Sequence, residues 1–209
     1  MHSERARGGT RIMITIDARG LACPQPVMIT KEAVDRGEKE LSILVDNKVA
    51  ASNIARFLKA QSISFSSKEE SGTIQIDTKG STDGVTLYKQ PVKKDDSKQL
   101  SILITSDKIG ADSDGLGEVL MKSYLGTLVK ADNPPATVAL MNEAVKMTLT
   151  ESSALDYLRE LADRGTNILV CGACTKHFDI TEQVCIGIIS NMFEITETVF
   201  NASNPITIG

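Results

Sequence analysis

Apolar and polar residues alternate at Ile12, Ile14 and Ile16, and again at Leu41, Ile43 and Val45. Alternation with a period of two predicts strands with one buried face. Between these two runs, residues 24–35 read as a helix closed by Gly37. Ala50, Ile54, Phe57 and Leu58 recur at helical spacing, which predicts a second helix capped by Asp46 or Asn47. Ile63 and Phe65 alternate, Ser71-Gly72 signals a turn, and Ile74 and Ile76 alternate again, so the segment ends in a hairpin. The order strand, helix, strand, helix, strand, strand predicts a two-layer α/β sandwich, with a mixed four-stranded sheet and two helices, over residues 12–79.

The pattern then changes. Residues 80–98 are polar and charged and read as a linker. From residue 99 onward the strands become short, nearly continuous apolar runs, as expected for parallel strands buried on both faces. They are predicted at 100–104, 137–141, 168–171, 184–186 and 206–208. Helices are expected between them: one stacking Leu116, Leu120, Tyr124 and Leu128, one carrying Leu155, Leu158, Leu161 and Ala162, and one over 191–200. The second helix would be capped by Thr150 or Ser152 and ended by Gly165. Strands alternating with helices predict a three-layer α/β/α domain over 99–209 with a mostly parallel sheet. Ligands in such folds sit at the carboxyl ends of the strands.

A chain of 209 residues holds one or two ordinary domains. Its net charge of −4 gives no basic field, which argues against nucleic-acid and membrane-surface partners. No apolar run is long enough to span a bilayer. Residues 1–11 are polar and basic, lack the apolar core of a signal peptide, and read as a disordered extension. Four unevenly spaced cysteines without an export signal suggest thiol chemistry in a reducing cytoplasm rather than a disulfide scaffold.

Cys23-Pro24-Gln25-Pro26 carries the most chemical information. It lies between the first strand and the first helix, in a turn signalled by Gly20 and two prolines. Pro24 suits the first helical position, where a missing N–H costs nothing. That places Cys23 at the N-cap, facing the free N–H groups of the first turn, where a thiol has a depressed pKa and becomes a sulfur nucleophile. The alternative is an inert, buried small hydrophobe.

Residues 17–28, Asp17-Ala18-Arg19-Gly20-Leu21-Ala22-Cys23-Pro24-Gln25-Pro26-Val27-Met28, resemble the signature of the TusA/SirA-like sulfur carriers. The resemblance covers residues 12–79. It implies that Cys23 holds a persulfide, with Arg19, Gly20, Pro24 and Pro26 supporting the loop, and that no metal or organic cofactor is needed. It also implies a sulfur donor such as a cysteine desulfurase and a downstream sulfur or selenium acceptor protein, and leaves a homo-oligomer open. One departure is Gln61-Ser62, standing where a glycine-containing turn is expected. The C-terminal half is similar to the DsrE/F-like fold through Cys171-Gly172-Ala173-Cys174-Thr175-Lys176-His177-Phe178 and Ser190-Asn191-Met192-Phe193. The whole arrangement resembles the two-domain YedF-type proteins assigned to selenium metabolism.

In that resemblance Cys174 is the second sulfur site, and it falls at the carboxyl end of a strand, where this fold exposes reactive groups. Cys171 reads as a buried strand residue and Cys185 as a structural thiol in the next strand. His177 either stabilises a neighbouring thiolate or caps local structure. Cys171-x-x-Cys174 also has redox spacing, so a thiol-disulfide oxidoreductase or redox sensor is an alternative function. A non-catalytic interaction module that docks through the Cys-Pro-x-Pro loop is another. One CxxC with one His is a weak zinc motif, and no metal site is expected. Asp112-Ser113-Asp114-Gly115 lacks the remaining ligands of a calcium loop. Arg19, Lys31, Lys48, Arg56 and Lys59 could form a basic rim beside Cys23, but a solvated surface is the better account of them.

Overall fold

The computed structural model describes residues 13–79, 100–111 and 114–209, which fall into two compact units. The N-terminal extension and the linker expected from the sequence lie outside the described residues, as do Ile12, Asp112 and Ser113.

The first unit contains β1 (Ile14–Asp17), α1 (Gln25–Asp35), β2 (Leu41–Val45), α2 (Lys48–Ala60), β3 (Ser64–Glu70) and β4 (Thr73–Lys79). The sheet order is β1-β2-β4-β3, with β1 parallel to β2 and the remaining pairs antiparallel. This is the mixed four-stranded sheet with two helices that the alternation predicts. The helices supply Val27, Ala33, Ile54, Phe57 and Leu58, which bury against Leu41, Ile43, Val45, Ile74 and Ile76. Each of these Val, Leu, Ile and Phe side chains stabilises the fold by about 1.5–3 kcal/mol relative to exposure. Asn47 is the cap of α2, its side chain accepting the Ala50 N–H at 2.8 Å.

The C-terminus of α2 shows why Gln61-Ser62 needs no glycine. The Ile63 N–H donates to the Leu58 carbonyl and the Ser62 N–H to the Lys59 carbonyl, both at 2.9 Å. This is the paired bonding of a Schellman stop, and Ser62 takes the left-handed position with φ 57°. A serine there carries strain that a glycine would not.

The second unit contains β5 (Leu100–Ile104), α3 (Leu116–Lys130), β6 (Thr137–Leu140), α4 (Leu155–Asp163), β7 (Asn167–Cys171), α5 (Gly172–His177), β8 (Ile188–Ser190), α6 (Met192–Phe200) and β9 (Asn204–Ile208). Its five strands run in the order β8-β7-β6-β5-β9, and every pair is parallel. The chain steps outward from β5 to β8 and then returns past β5 to place β9 on the far side. Right-handed crossovers put helices on opposite faces when the direction of winding reverses. Accordingly α3 packs on α4, while α6 packs on β5 and β7.

Three expectations are corrected here. On α3 the buried residues are Met121, Leu125 and Val129, whereas Leu116 and Leu120 are exposed. The helix is apolar around much of its circumference, so periodicity alone does not pick the inward face. The eighth strand lies at Ile188–Ser190 and not at 184–186. Gly187, at φ 92°, approaches β7 so closely that a Cβ would lie 2.9 Å from the Ile168 carbonyl oxygen and from Cγ2 of Ile168 and Val170. Only beyond this glycine does the chain settle into register, with Ile188 opposite Leu169. Cys185 is consequently exposed outside any strand, and is not the buried structural thiol expected. A 3-10 segment at Asn142–Thr148, which follows β6, has no counterpart in the predicted elements.

Candidate functional sites

Cys23 lies in the loop that leads from β1 into α1. The loop is held at several points. The Ala18 N–H donates to the Leu44 carbonyl at 2.8 Å, extending the β1–β2 ladder by one residue. Gly20, at φ 72°, donates its N–H to Asp46 Oδ2 at 2.7 Å, tying the loop to the start of α2. Arg19 folds back on Asp17, with Nε 2.9 Å from Oδ1 and Nη2 2.6 Å from Oδ2. The hydrogen bonds from Arg19 hold the Asp17 carboxyl down at about 2. Arg19 therefore acts on the loop backbone through Asp17.

The helix begins at Gln25, so Cys23 lies two residues ahead of its first turn rather than at the cap. Pro26 sits in that turn, where its missing N–H has no intrahelical acceptor to lose, and its carbonyl accepts the Thr30 hydroxyl at 2.8 Å. The Cys23–Pro24 peptide is cis. Cys23 is half-buried, and burial pushes its thiol up from the ordinary cysteine value, opposite to the depression expected of a capping thiol. The helix-terminus effect fades within the first turn, while desolvation penalises the thiolate directly. The expected basic rim is mostly paired locally, with Lys31 on Asp35 and Arg56 on Asn53 and Ser52.

In the second unit the carboxyl ends of β6, β7 and β8 bring a second group together. Cys171 ends β7, is fully buried, and occupies the N-cap of α5. Its register partner on β8 is Ser190, also fully buried, whose hydroxyl donates to Glu194 Oε2 at 2.7 Å. Asn191 follows and caps α6 by accepting the Glu194 N–H. Cys174 is the third residue of α5 and is half-buried. Its sulfur accepts the backbone N–H of Asn142 at 3.1 Å. Asn142, directly after β6, aims that N–H from a left-handed conformation at φ 50°, which Asn tolerates better than most residues.

The Cys171 sulfur makes no capping hydrogen bond of regular geometry. It does lie close enough to the Ala173 and Cys174 amides and to the Cys174 thiol for all three to act on its ionisation. Burial is the strongest influence and pushes Cys171 up to about 11. His177 is exposed on the last turn of α5, edge-on to Phe178 with ring centroids 5.1 Å apart, and Lys146 lies 4.4 Å from the Phe178 ring centre. Cys185 Sγ lies 3.3 Å from both Thr150 Oγ1 and the Gln183 carbonyl, apart from this group.

Asn142 is absent from the residues singled out by sequence, where Asp46 enters only as a candidate helix cap and Ser190 only as part of the C-terminal resemblance. Asn142 carried a usable signal, because a polar residue tolerant of left-handed backbone directly follows a buried strand. Among the described residues no three His, Cys, Asp or Glu side chains group so as to hold a metal ion. No helix among them is long and apolar enough to cross a membrane. A cleft of about 370 Å³ lies between α3 and the segment after β6, lined by Lys122, Lys146, Glu118 and Glu151 among others. Its Lys122 pairs with Glu118 at 3.4 Å and Lys146 with Glu143 at 3.2 Å.

Residues 14–76 match the family model described as sulfurtransferase TusA, so the first unit is a TusA/SirA-like domain. The match supports a sulfur-carrier role, and proteins of this family work between sulfur donors and acceptors. The crystal structure of the SirA-like protein from Desulfitobacterium hafniense is 31% identical, covering 33% of this chain and 100% of that one, with a TM-score of 0.30. The crystal structure of the ychN protein from E. coli is 15% identical, covering 53% of this chain and 99% of that one, with a TM-score of 0.43. No curated protein matches the chain.

Proposed function

We propose that this protein traffics sulfur as a persulfide, loading it on Cys23 and passing it to Cys174 or to a partner protein. The observation that carries the reading is the sulfurtransferase match over residues 14–76, with Cys23 at the tip of its braced loop. The Cys23 thiol attacks the outer sulfur of a donor persulfide, such as that of a cysteine desulfurase. The donor cysteine leaves as a thiol and Cys23 keeps the sulfur. Burial leaves the resting thiol protonated at neutral pH, so the donor must supply the base or meet a small thiolate fraction. A persulfide is more acidic than its parent thiol, so the loaded form ionises more readily.

Cys174 is a suitable acceptor on chemical grounds, because it is partly accessible and its sulfur accepts the Asn142 N–H. The segments 12–79 and 99–209 are proposed as independently folding domains joined by 80–98, an arrangement that resembles YedF-type proteins with a DsrE/F-like second domain. A cytoplasmic setting suits four free cysteines. Whether the cargo is sulfur or selenium is then a property of the donor.

Intact mass after incubation with a cysteine desulfurase and cysteine tests the reading. The wild type should gain sulfur on Cys23, and Cys23→Ser should leave Cys174 unloaded by the same donor. Cys174→Ser should still load Cys23. Direct loading of Cys174 in Cys23→Ser would overturn the relay, and no sulfur on Cys23 in the wild type would overturn the carrier role.

A further inference from the structure

Cys171 has no part in the sulfur transfer just described, yet the fold places it beside Cys174. The two thiols occupy the cap and the third residue of α5. Residues three apart along a helical turn lie on the same side, which brings the Cys171 and Cys174 side chains next to each other. Their environments are opposite. Cys174 is half-exposed and receives the Asn142 N–H. Cys171 is sealed between β6 and β8, with Ser190 as its register partner. An accessible thiol paired with a buried one is the arrangement in which the first reacts with an outside sulfur compound and the second attacks the product.

We propose that Cys171 is the resolving thiol for sulfur carried on Cys174, displacing it as hydrosulfide and leaving a Cys171–Cys174 disulfide. This rests on the reading of Cys174 as a sulfur acceptor. In the step, the Cys171 sulfur attacks Sγ of Cys174 and a new Sγ–Sγ bond forms. The bond between Cys174 Sγ and the outer sulfur breaks, and its electron pair leaves with the outer sulfur. The Cys171 proton ends on that sulfur, so a thiol and a persulfide anion become a disulfide and hydrosulfide. The Cys171 sulfur is oxidised and the outer sulfur is reduced, with no external oxidant. Two equivalents of a thiol reductant then return the disulfide to two thiols. Cys171 is fully buried, where external sulfur compounds do not reach it, so it reacts only with what Cys174 has already captured.

The test uses the full chain carrying Cys23→Ser and Cys185→Ser, so that only the pair reports. The reduced protein is treated with one equivalent of inorganic tetrasulfide, quenched in acid and weighed intact, and free sulfide is assayed alongside. The expected result is sulfide release with a mass two hydrogens lighter and a Cys171–Cys174 disulfide by peptide mapping. Adding Cys171→Ser should trap one extra sulfur atom on Cys174 and lower the rate of sulfide release at least tenfold. Cys171→Ala should behave in the same way, with circular dichroism confirming that both variants are folded. A stable extra sulfur on Cys174 with Cys171 intact would overturn the proposal while sparing Cys174 as an acceptor. Equal sulfide release with and without Cys171 would do the same. Absence of any added sulfur on Cys174 in both Cys171 variants would overturn the acceptor reading and the proposal together.

Discussion

Replacing Asp46 with Ala removes the one side chain that ties the Gly20 amide to the start of α2. The bond is 2.7 Å long and has an ionised acceptor. Hydrogen bonds to charged groups contribute roughly 1.5–3 kcal/mol net, and exposure of both residues brings this one to about 1 kcal/mol. The rest of the loop keeps its anchors, because Ala18 still bonds to the Leu44 carbonyl and Arg19 still chelates Asp17. The loss is therefore local. A change of about 1 kcal/mol in local opening corresponds to roughly fivefold faster exchange of the Gly20 amide. Amide hydrogen exchange by NMR reads this directly, with the Ala18 amide as internal reference. The Asp46→Asn variant keeps an acceptor oxygen without the charge and should show a smaller increase. Alkylation of Cys23 should quicken in the Ala variant as the loop samples more open conformations. Unchanged exchange at Gly20 would refute the bracing role. Equal acceleration at Ala18 would show that the sheet itself had loosened, which the geometry does not predict.

Four further outcomes are expected. The pH–rate profile for alkylation of Cys23 should have its midpoint above the free-cysteine value of about 8.5, because burial favours the neutral thiol; a midpoint below it would mean that the helix terminus wins after all. Cys171 should resist alkylation in the native chain and react once denaturant is added. Because its folded pKa of about 11 lies above the unfolded one, its stabilising contribution is whole below about pH 8.5 and is lost as pH rises towards 11, which urea titrations across that range should show. Gly187→Ala should cost the second unit about 2–5 kcal/mol, the sum of overpacking against Ile168 and Val170 and of a left-handed alanine, visible as a lower urea midpoint by circular dichroism. Ser62→Gly should raise the stability of the first unit by up to about 1 kcal/mol, since relief of left-handed strain is partly offset by greater freedom of the unfolded chain; a clear loss would show that Ser62 is not strained.

The local pattern of residues was enough to give most of the architecture. Period-two alternation located β2, β3 and β4, and Asn47 was legible as a cap because its chemistry acts within three residues. The Cys-Pro-x-Pro segment marked the first thiol, because a cysteine and two prolines between a strand and a helix constrain one another over four positions. Tertiary structure decided whatever depends on neighbours distant in sequence. Only packing chose Met121, Leu125 and Val129 over Leu116 and Leu120 as the inward face of α3, because both faces are apolar. The close approach of Gly187 to β7 moved β8 past Cys185 and left that thiol in solvent. Burial, which no local motif encodes, pushes the Cys23 thiol up, and the helix starts two residues beyond it rather than at it. Asn142, Cys171, Cys174 and Ser190 come from three strand ends that meet only because β6, β7 and β8 lie side by side in a parallel sheet. A sequence can announce two cysteines three residues apart, but the sheet determines which one faces a donor amide and which one is enclosed.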